Sequence, residues 1–215
     1  HTIHYNLETT YAGLYEECAK VVERLNLAPY MLEGERRLNP DPVAMARQAS
    51  LAALMQMLYL KRLESSLTSL RISLERQYNF QERFLQLLGQ GKLLDSANYR
   101  RIFVWASADD SGEDEPDVEQ FIAALPQVDA KSYELEAIER AVQADMRAIG
   151  GVLQKMQRQF GDNVGVKDAK LHELKMRLTG ELKGKKVVVF TYFKDTARYL
   201  YHELGGRDAR GKRKP

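Results

Sequence analysis

Apolar positions recur at steps of three and four along most of the chain, which is the spacing of one face of an α-helix. The first such face starts after Thr10 and comprises Tyr11, Leu14, Tyr15, Cys18, Val21, Val22 and Leu25. We therefore expect a helix that runs from Thr10 towards Pro29. Upstream, Ile3, Tyr5 and Leu7 alternate with polar residues, which predicts a short, half-buried strand that ends at Glu8.

Two longer apolar stripes follow. Between Pro42 and Gly89 there is no proline or glycine, and Asp41 with Pro42 is a good cap and first-turn pair. The first stripe comprises Leu51, Leu54, Leu58, Leu67, Leu70, Leu74, Phe84 and Leu88, and the second comprises Leu135, Ile138, Val142, Met146, Ile149, Leu153, Met156 and Phe160. Their near-heptad spacing predicts that residues 42–88 and 132–160 are long helices packed as an antiparallel hairpin or bundle.

The length of the first stretch, a glycine pair in the second and an ambiguous segment between them bear on this prediction. A single helix over residues 42–88 would be about 70 Å long at roughly 1.5 Å per residue, which exceeds a compact domain. Gly150 and Gly151 indicate a kink or a close approach in the second helix. Residues 99–106 suit a helix or a strand, and we expect a helix because no partner strand is nearby.

The chain ends on a different pattern, in which residues 187–190 form a continuous apolar run that leads into a helix. Such a run is typical of a strand buried between layers of helices, and a strand of this kind needs neighbours. The sequence therefore predicts a mainly α fold of long antiparallel helices, with a short N-terminal strand and a C-terminal strand–helix unit from an incomplete α/β lobe. Without its neighbours, the strand should be exposed or paired irregularly.

Composition excludes several classes of protein. The 215 residues are 44% hydrophobic and 29% charged, as in an ordinary soluble globular protein. No apolar stretch approaches the roughly 20 residues that span a bilayer, and no signal peptide is recognisable, so we expect no membrane contact and a cytoplasmic location. The single Cys18 lies on an apolar helix face and is expected to be a buried thiol. The first residue is histidine, which suggests a piece of a longer protein.

Charge is unevenly distributed, although the net charge is only +2. Residues 108–119 hold seven acids and no base, which predicts a solvated connector. From Lys183 onward there are ten Lys or Arg and three acids. We expect this segment to be either a surface that binds the phosphates of a nucleic acid or a solvated tail. The candidates for nucleic-acid binding outside the tail are Lys183, Lys185, Lys186, Lys194 and Arg198.

Candidate catalytic chemistry is scarce. None of the four histidines has a partner at metal-ligand spacing, so we predict no metal site. The carboxylates lie beside Lys and Arg on helix faces, where solvated ion pairs are the simpler explanation. The run from Gly206 to Lys212 has the spacing of a Walker A loop. It follows a helix and continues with Arg213 in place of Ser or Thr, so we reject it.

The C-terminal pattern resembles the entrance to the second RecA-like lobe of superfamily-two helicases, in particular motif IV of the Swi/Snf-like translocases. The resemblance begins with the helix around residues 170–178 and rests mainly on Phe190, Thr191, Tyr192, Phe193, Asp195 and Thr196. At the other end, Leu7 and Tyr15 match the two ends of a family pattern, Leu-Thr-x-x-Gln-x-x-x-Tyr, whereas Glu8 and Tyr11 depart from it. Residues 60–74 look like a long helix of bacterial members.

This resemblance implies that residues 1–165 are a helical insertion between the lobes and that residues 166–215 begin the second lobe. It implies a longer protein that hydrolyses ATP with magnesium and moves on DNA, expected to be duplex. The family's ATPase residues are not in this chain, so we expect no catalytic residue and no cofactor here. The alternative is a helical adapter whose stripes pair with partner proteins. The same stripes can also pair between two copies of this chain, so a homo-oligomer is a further alternative.

Overall fold

The computed structural model describes residues 4–95, 118–161 and 168–205. Its α-helices are α1 (Leu7–Tyr11), α2 (Leu14–Glu23), α3 (Pro42–Ser65), α4 (Leu67–Gly89), α5 (Val118–Ala123), α6 (Leu135–Phe160), α7 (Ala169–Thr179) and α8 (Lys194–Glu203). Short 3₁₀ turns cover Ala28–Tyr30, Leu32–Glu35 and Ala130–Ser132. Strands β1 (Leu93–Leu94) and β2 (Gln127–Val128) pair antiparallel. The predicted mainly α fold is confirmed.

Helices α4 and α6 pack along each other in opposite directions. The Arg71 guanidinium at the start of α4 donates to the Gly161 carbonyl beyond the end of α6, at 3.5 Å. Gln81 further along α4 donates to Asp145 in the first half of α6, at 3.2 Å. The predicted antiparallel pairing is confirmed, as is burial of Leu67, Leu70, Leu74, Val142 and Ile149, whereas Leu153 is half-buried against the core.

The two glycines of α6 do not interrupt the helix. A Cβ added to Gly150 would lie 3.5 Å from the ring of Tyr78, which is an ordinary van der Waals contact, so α4 packs beside this residue without requiring glycine. Gly151 faces open space instead. Neither glycine therefore marks the expected kink or close approach within the described chain.

The buried face of α3 differs from the predicted leucine stripe. Leu51 is buried, but Leu54 is 39% exposed and Leu58 is half-buried. The core-facing residues of α3 are Gln48, Leu51, Ala52, Met55, Tyr59, Arg62 and Leu63. The leucine spacing was misleading because polar side chains occupy buried positions, where they find partners from distant parts of the chain.

The long interval from Pro42 to Gly89 is divided at one residue. Ser66 has an extended backbone (φ −163°, ψ 150°), which ends α3 and begins α4. Its hydroxyl accepts a hydrogen bond from the Ser69 amide, so Ser66 is the N-cap of α4. As predicted, Asp41 caps the start of α3 by accepting from the Val43 amide. The break allows both helices to face one core.

The N-terminal strand prediction was wrong. Residues 4–6 have no regular structure and α1 begins at Leu7, since no described strand lies alongside to complete a ladder. The predicted helix from Thr10 is split at Ala12 and Gly13, which both have left-handed backbones. Its apolar face is nevertheless confirmed, because Tyr11, Leu14, Cys18, Val22 and Leu25 are buried.

A buried carboxylate fixes the turn after α2. Asp145 of α6 is 2% exposed and accepts from the Asn26 amide and side chain and from the Leu27 amide, at 2.7–2.9 Å. Leu27 has a left-handed backbone (φ 53°), and it carries the chain into the 3₁₀ turn at Ala28–Tyr30. Asp145 thus secures a strained turn at the centre of the core.

The C-terminal strand prediction was also wrong for this chain. Residues 186–193, hereafter the C-terminal segment, form no hydrogen-bonded strand, and α8 follows at Lys194. Val188 is 75% exposed and Phe190 is 91% exposed, which agrees with the expectation that the segment lacks the neighbours of a sheet.

Three sequence predictions fall outside the described residues. They are the helix over residues 99–106, the tail after residue 205, and all but the last two residues of the acidic connector 108–119, which belong to α5. None of the helices within the described ranges is both long enough and apolar enough to cross a membrane.

Candidate functional site

The residues that resemble motif IV divide into an exposed half and a buried half. Phe190 and Tyr192 are 91% and 88% exposed, and Thr191 between them is half-buried. Phe193, Asp195 and Thr196 are buried, at 6%, 3% and 5% exposed. The buried half attaches the start of α8 to the junction of α3 and α4, while the exposed half projects beside it.

An ion pair lies at the centre of this attachment. The Arg62 guanidinium near the end of α3 donates to the Asp195 carboxylate at 2.7 Å, and both side chains are at most 2% exposed. The Phe193 ring lies over the guanidinium, 4.8 Å from Cζ to the ring centroid, which is a cation–π contact. Arg62 also donates to the Ser69 hydroxyl at 3.3 Å. The buried charges are therefore paired and hydrogen-bonded, as burial requires.

A cluster of hydroxyl groups surrounds the break between α3 and α4. Thr196 Oγ1 lies 2.7 Å from Ser65 Oγ and 3.1 Å from Ser66 Oγ, within hydrogen-bond distance of both. Thr191 Oγ1 lies 3.5 Å from Ser65 Oγ. Since Ser66 is also the N-cap of α4, the same hydroxyl that starts α4 is held by Thr196 of α8.

Helix α7 contributes a second set of contacts to the junction. Lys170 donates to the carbonyls of Glu64 and Ser65 at 3.1 Å each, in the last turn of α3, where carbonyls lack intrahelical partners. Asp168 caps α7 by accepting from the Leu171 amide and also accepts from the Tyr199 hydroxyl at 2.7 Å. Burial and the Asp168 carboxylate together raise the pKa of Tyr199, so its hydroxyl stays a donor.

A cavity of about 270 Å³ lies between α7, α8 and the C-terminal segment. Its walls are mainly apolar, with Leu171, Leu174, Val189 and Leu200 among them. Two of its polar side chains, Asp168 and Lys170, already serve as a helix cap and as a donor to the end of α3. The other polar side chains in the lining are Tyr5, Ser65, Glu173, Thr191, Thr196 and Tyr199. Lys170, Thr196 and Tyr199 thus line the cavity and also help to attach α7 and α8 to each other and to the end of α3.

The predicted nucleic-acid candidates lie between α7 and the second turn of α8. Lys183 and Lys185 are exposed in the turn after α7, and Lys186 is exposed at the start of the C-terminal segment. Lys194 and Arg198 lie on the first two turns of α8. Within the described ranges, no group of three or more His, Cys, Asp or Glu could hold a metal ion.

Sequence reasoning did not assign a role to the residues that receive the motif. The residues that bind the buried half of the motif and the neighbouring α7 are Arg62, Ser65, Ser66 and Lys170. All four belong to stretches that entered the family resemblance only as helices. One signal for Arg62 was available, because it lies three residues after Tyr59 and seven after Met55 on the buried face of α3. The partner of Arg62 could not have been identified, since Asp195 is 133 residues away.

The chain matches no protein-family model, no curated protein and no solved structure.

Proposed function

We propose that this chain is the helical segment between the two lobes of an ATP-driven, Swi/Snf-like DNA translocase or helicase, together with the start of the second lobe. In this proposal the helices position duplex DNA and transmit lobe motion, while ATP and magnesium bind elsewhere in the longer protein. The chain alone is not catalytic.

The observation that supports the proposal most strongly is the division of the C-terminal segment. Its apolar side chains, with Phe190 at 91% and Val188 at 75% exposed, have the composition of a central strand but no described sheet neighbours. The next residues, Asp195 and Thr196, are fixed to the helical part through buried contacts. An exposed apolar segment that forms no strand here, next to a helix that is already attached, is what we expect of the first strand of a lobe whose other strands lie elsewhere in the longer protein.

The arrangement of the core agrees with the proposed division near residue 165. The main apolar cluster extends from Tyr11 to Phe160, whereas Leu171 and Phe193 are buried outside it. In the longer protein the Arg62–Asp195 pair would then join the helical insertion to the second lobe. A rigid connection of this kind is what transmission of lobe motion needs.

Reading the open reading frame on both sides of this chain tests the proposal. A translocase requires a Walker A loop upstream and an arginine-bearing motif downstream. Absence of both would overturn the proposal. If both are present, the longer protein should hydrolyse ATP faster with duplex DNA, and replacement of the Walker A lysine should abolish that activity.

A second test concerns the basic residues of this chain. We expect weak binding to duplex DNA that is indifferent to base sequence and decreases steeply with salt, because the contacts go to phosphates. Fluorescence anisotropy at low and moderate salt should compare the full chain with one that ends at Gly206 and with the Lys183→Gln/Lys185→Gln/Lys186→Gln variant. Equal binding by the full and shortened chains would exclude a role for the tail.

The alternative function is a helical adapter, and one surface favours it. Between Pro42 and Leu60 the only charged residue is Arg47. The outer face of α3 exposes Val43, Leu54 and Met57, each 39–56% exposed, and Met45 in the first turn of α3 is 40% exposed. Methionine-rich surfaces adapt to varied protein partners. An open reading frame without either ATPase motif would support this alternative.

A further inference from the structure

Helix α6 carries three arginines on the side opposite the core. Arg140, Arg147 and Arg158 are all exposed, and each lies two positions from a buried apolar residue, namely Val142, Ile149 and Met156. Two residues correspond to about 200° of rotation in an α-helix, so the arginines point away from the core. Separations of seven and eleven residues bring them back to the same side within about 20°. They form one line, hereafter the arginine ridge, about 27 Å long.

No exposed acid interrupts the ridge from Arg140 onward. Between Arg140 and Phe160 the only acid is Asp145, which is 2% exposed and hydrogen-bonded within the core. On the neighbouring α2, Glu17 is paired with Lys155 of α6. Arg140 has a loose contact of 3.8 Å with Glu136 on the preceding turn, with both side chains exposed. Such a contact is weak in water and can be exchanged for another anion.

The space between the arginines is open. Gly151, one turn after Arg147, is exposed, and a Cβ there would meet nothing within 4 Å. Glycine in an exposed helix interior costs about 1 kcal/mol relative to alanine, and no packing in the described chain requires it at this position. A small residue at the centre of a basic line permits a partner to approach the helix closely.

We propose that the arginine ridge binds the phosphate backbone of duplex DNA. Arginine presents a planar fork of donors that matches phosphate oxygens, and three arginines in line with no exposed acid after Arg140 complement a polyanion. The ridge lies on the helical part of the chain, separate from the lysines at 183, 185 and 186. The choice of duplex DNA as the partner rests on the proposed function, while the ridge itself rests on the geometry of α6.

The test is an anisotropy titration of the full chain with a mixed-sequence duplex between 50 and 200 mM salt. The Arg140→Gln/Arg147→Gln/Arg158→Gln variant should bind more weakly. Its slope of log affinity against log salt should decrease by about 0.9 for each lost phosphate contact. The matched control, Lys20→Gln/Lys92→Gln/Lys131→Gln, removes the same charge from exposed sites elsewhere and should keep the wild-type slope.

A second pair of variants tests the centre of the ridge without removing an arginine. Gly151→Glu places a negative charge in open space and should reduce affinity, whereas Gly151→Gln has the same size and should reduce it much less. Circular dichroism and thermal unfolding should show each variant to be at least as helical and as stable as the wild type, because glycine is the less favourable residue in an exposed helix interior. This separates loss of binding from loss of folding.

Several outcomes would overturn the inference. These are equal affinity for the ridge and control variants, no binding by the wild type at 50 mM salt, or binding of poly-glutamate as tight as binding of the duplex. The Lys183→Gln/Lys185→Gln/Lys186→Gln variant shows whether only the arginine ridge fails to bind DNA or whether DNA binding by the whole chain, and with it the proposed function, fails. If only that variant loses binding, the ridge is excluded while DNA contact by the second-lobe segment stands.

Discussion

The Arg62 guanidinium and the Asp195 carboxylate form a buried ion pair of 2.7 Å across 133 residues of chain. Arg62 lies in the last turn of α3, and Asp195 lies in the first turn of α8. Because each charge is desolvated, either one alone would be strongly unfavourable. The pair therefore fixes where α8 attaches as well as contributing to stability.

Removal of one partner should destabilise the chain. Arg62→Ala or Asp195→Ala leaves an unpaired buried charge, and each should lower the free energy of unfolding by about 3–5 kcal/mol. Urea unfolding followed by circular dichroism measures this change. The double variant Arg62→Met/Asp195→Leu should cost less than the sum of the two single changes. Strict additivity would show that the two side chains do not interact.

Leu70 tests the helical core. Its side chain is fully buried between α4 and its neighbours, so Leu70→Ala should lower the free energy of unfolding by about 2–5 kcal/mol. Leu38 is 77% exposed and supplies the control, since Leu38→Ala should change stability by no more than about 0.5 kcal/mol. Similar effects of the two substitutions would contradict the described packing.

Asp145 tests the turn after α2. The carboxylate accepts four hydrogen bonds, so Asp145→Asn replaces an acceptor by a donor that faces other donors. We expect a loss of about 1–3 kcal/mol for the donors left unsatisfied. Glu16→Gln removes an exposed carboxylate and should be nearly neutral. Native-state hydrogen exchange should show faster exchange at the Asn26 and Leu27 amides of the Asp145 variant.

Cys18 should be unreactive while the chain is folded. Burial raises the pKa of its thiol to about 12, so at pH 8 the thiol is protonated and shielded. A thiol reagent such as dithionitrobenzoate should label it in urea but not in buffer. Because the folded pKa lies above the unfolded one, near 8.5, this group favours folding below about pH 8.5. That contribution should be lost as the pH rises towards 12.

The isolated chain should neither hydrolyse nor bind ATP. Hydrolysis requires phosphate-cradling amides, a lysine, magnesium ligands and an arginine from the opposite lobe, none of which the sequence supplies in a recognisable pattern. A thermal shift assay with Mg-ATP measures binding, and phosphate release measures turnover. Nucleotide-dependent protection, or activity that survives rigorous purification, would count against the proposed role of this segment.

Sequence patterns were sufficient where one side of a helix meets a single core. The apolar faces of α2, α4 and α6 follow from spacing alone, and burial of Cys18, Leu70 and Ile149 confirms them. Patterns were insufficient for α3, where Leu54 is exposed and Arg62 is buried. Hydrophobicity cannot identify a buried arginine whose partner lies in another part of the chain.

The sequence by itself determined the mainly α class, the antiparallel pairing of the two long stripes and the cap at Asp41, because these depend on local spacing and local hydrogen bonds. Only the tertiary structure decided the break at Ser66 and the attachment of α8. No proline or glycine marks that break. Residues more than 100 positions away contact the chain around this break: Thr196 and Asp195 bond to the side chains of Ser66 and Arg62. Lys170 donates to the Glu64 and Ser65 carbonyls, which a continuous helix would have bonded internally.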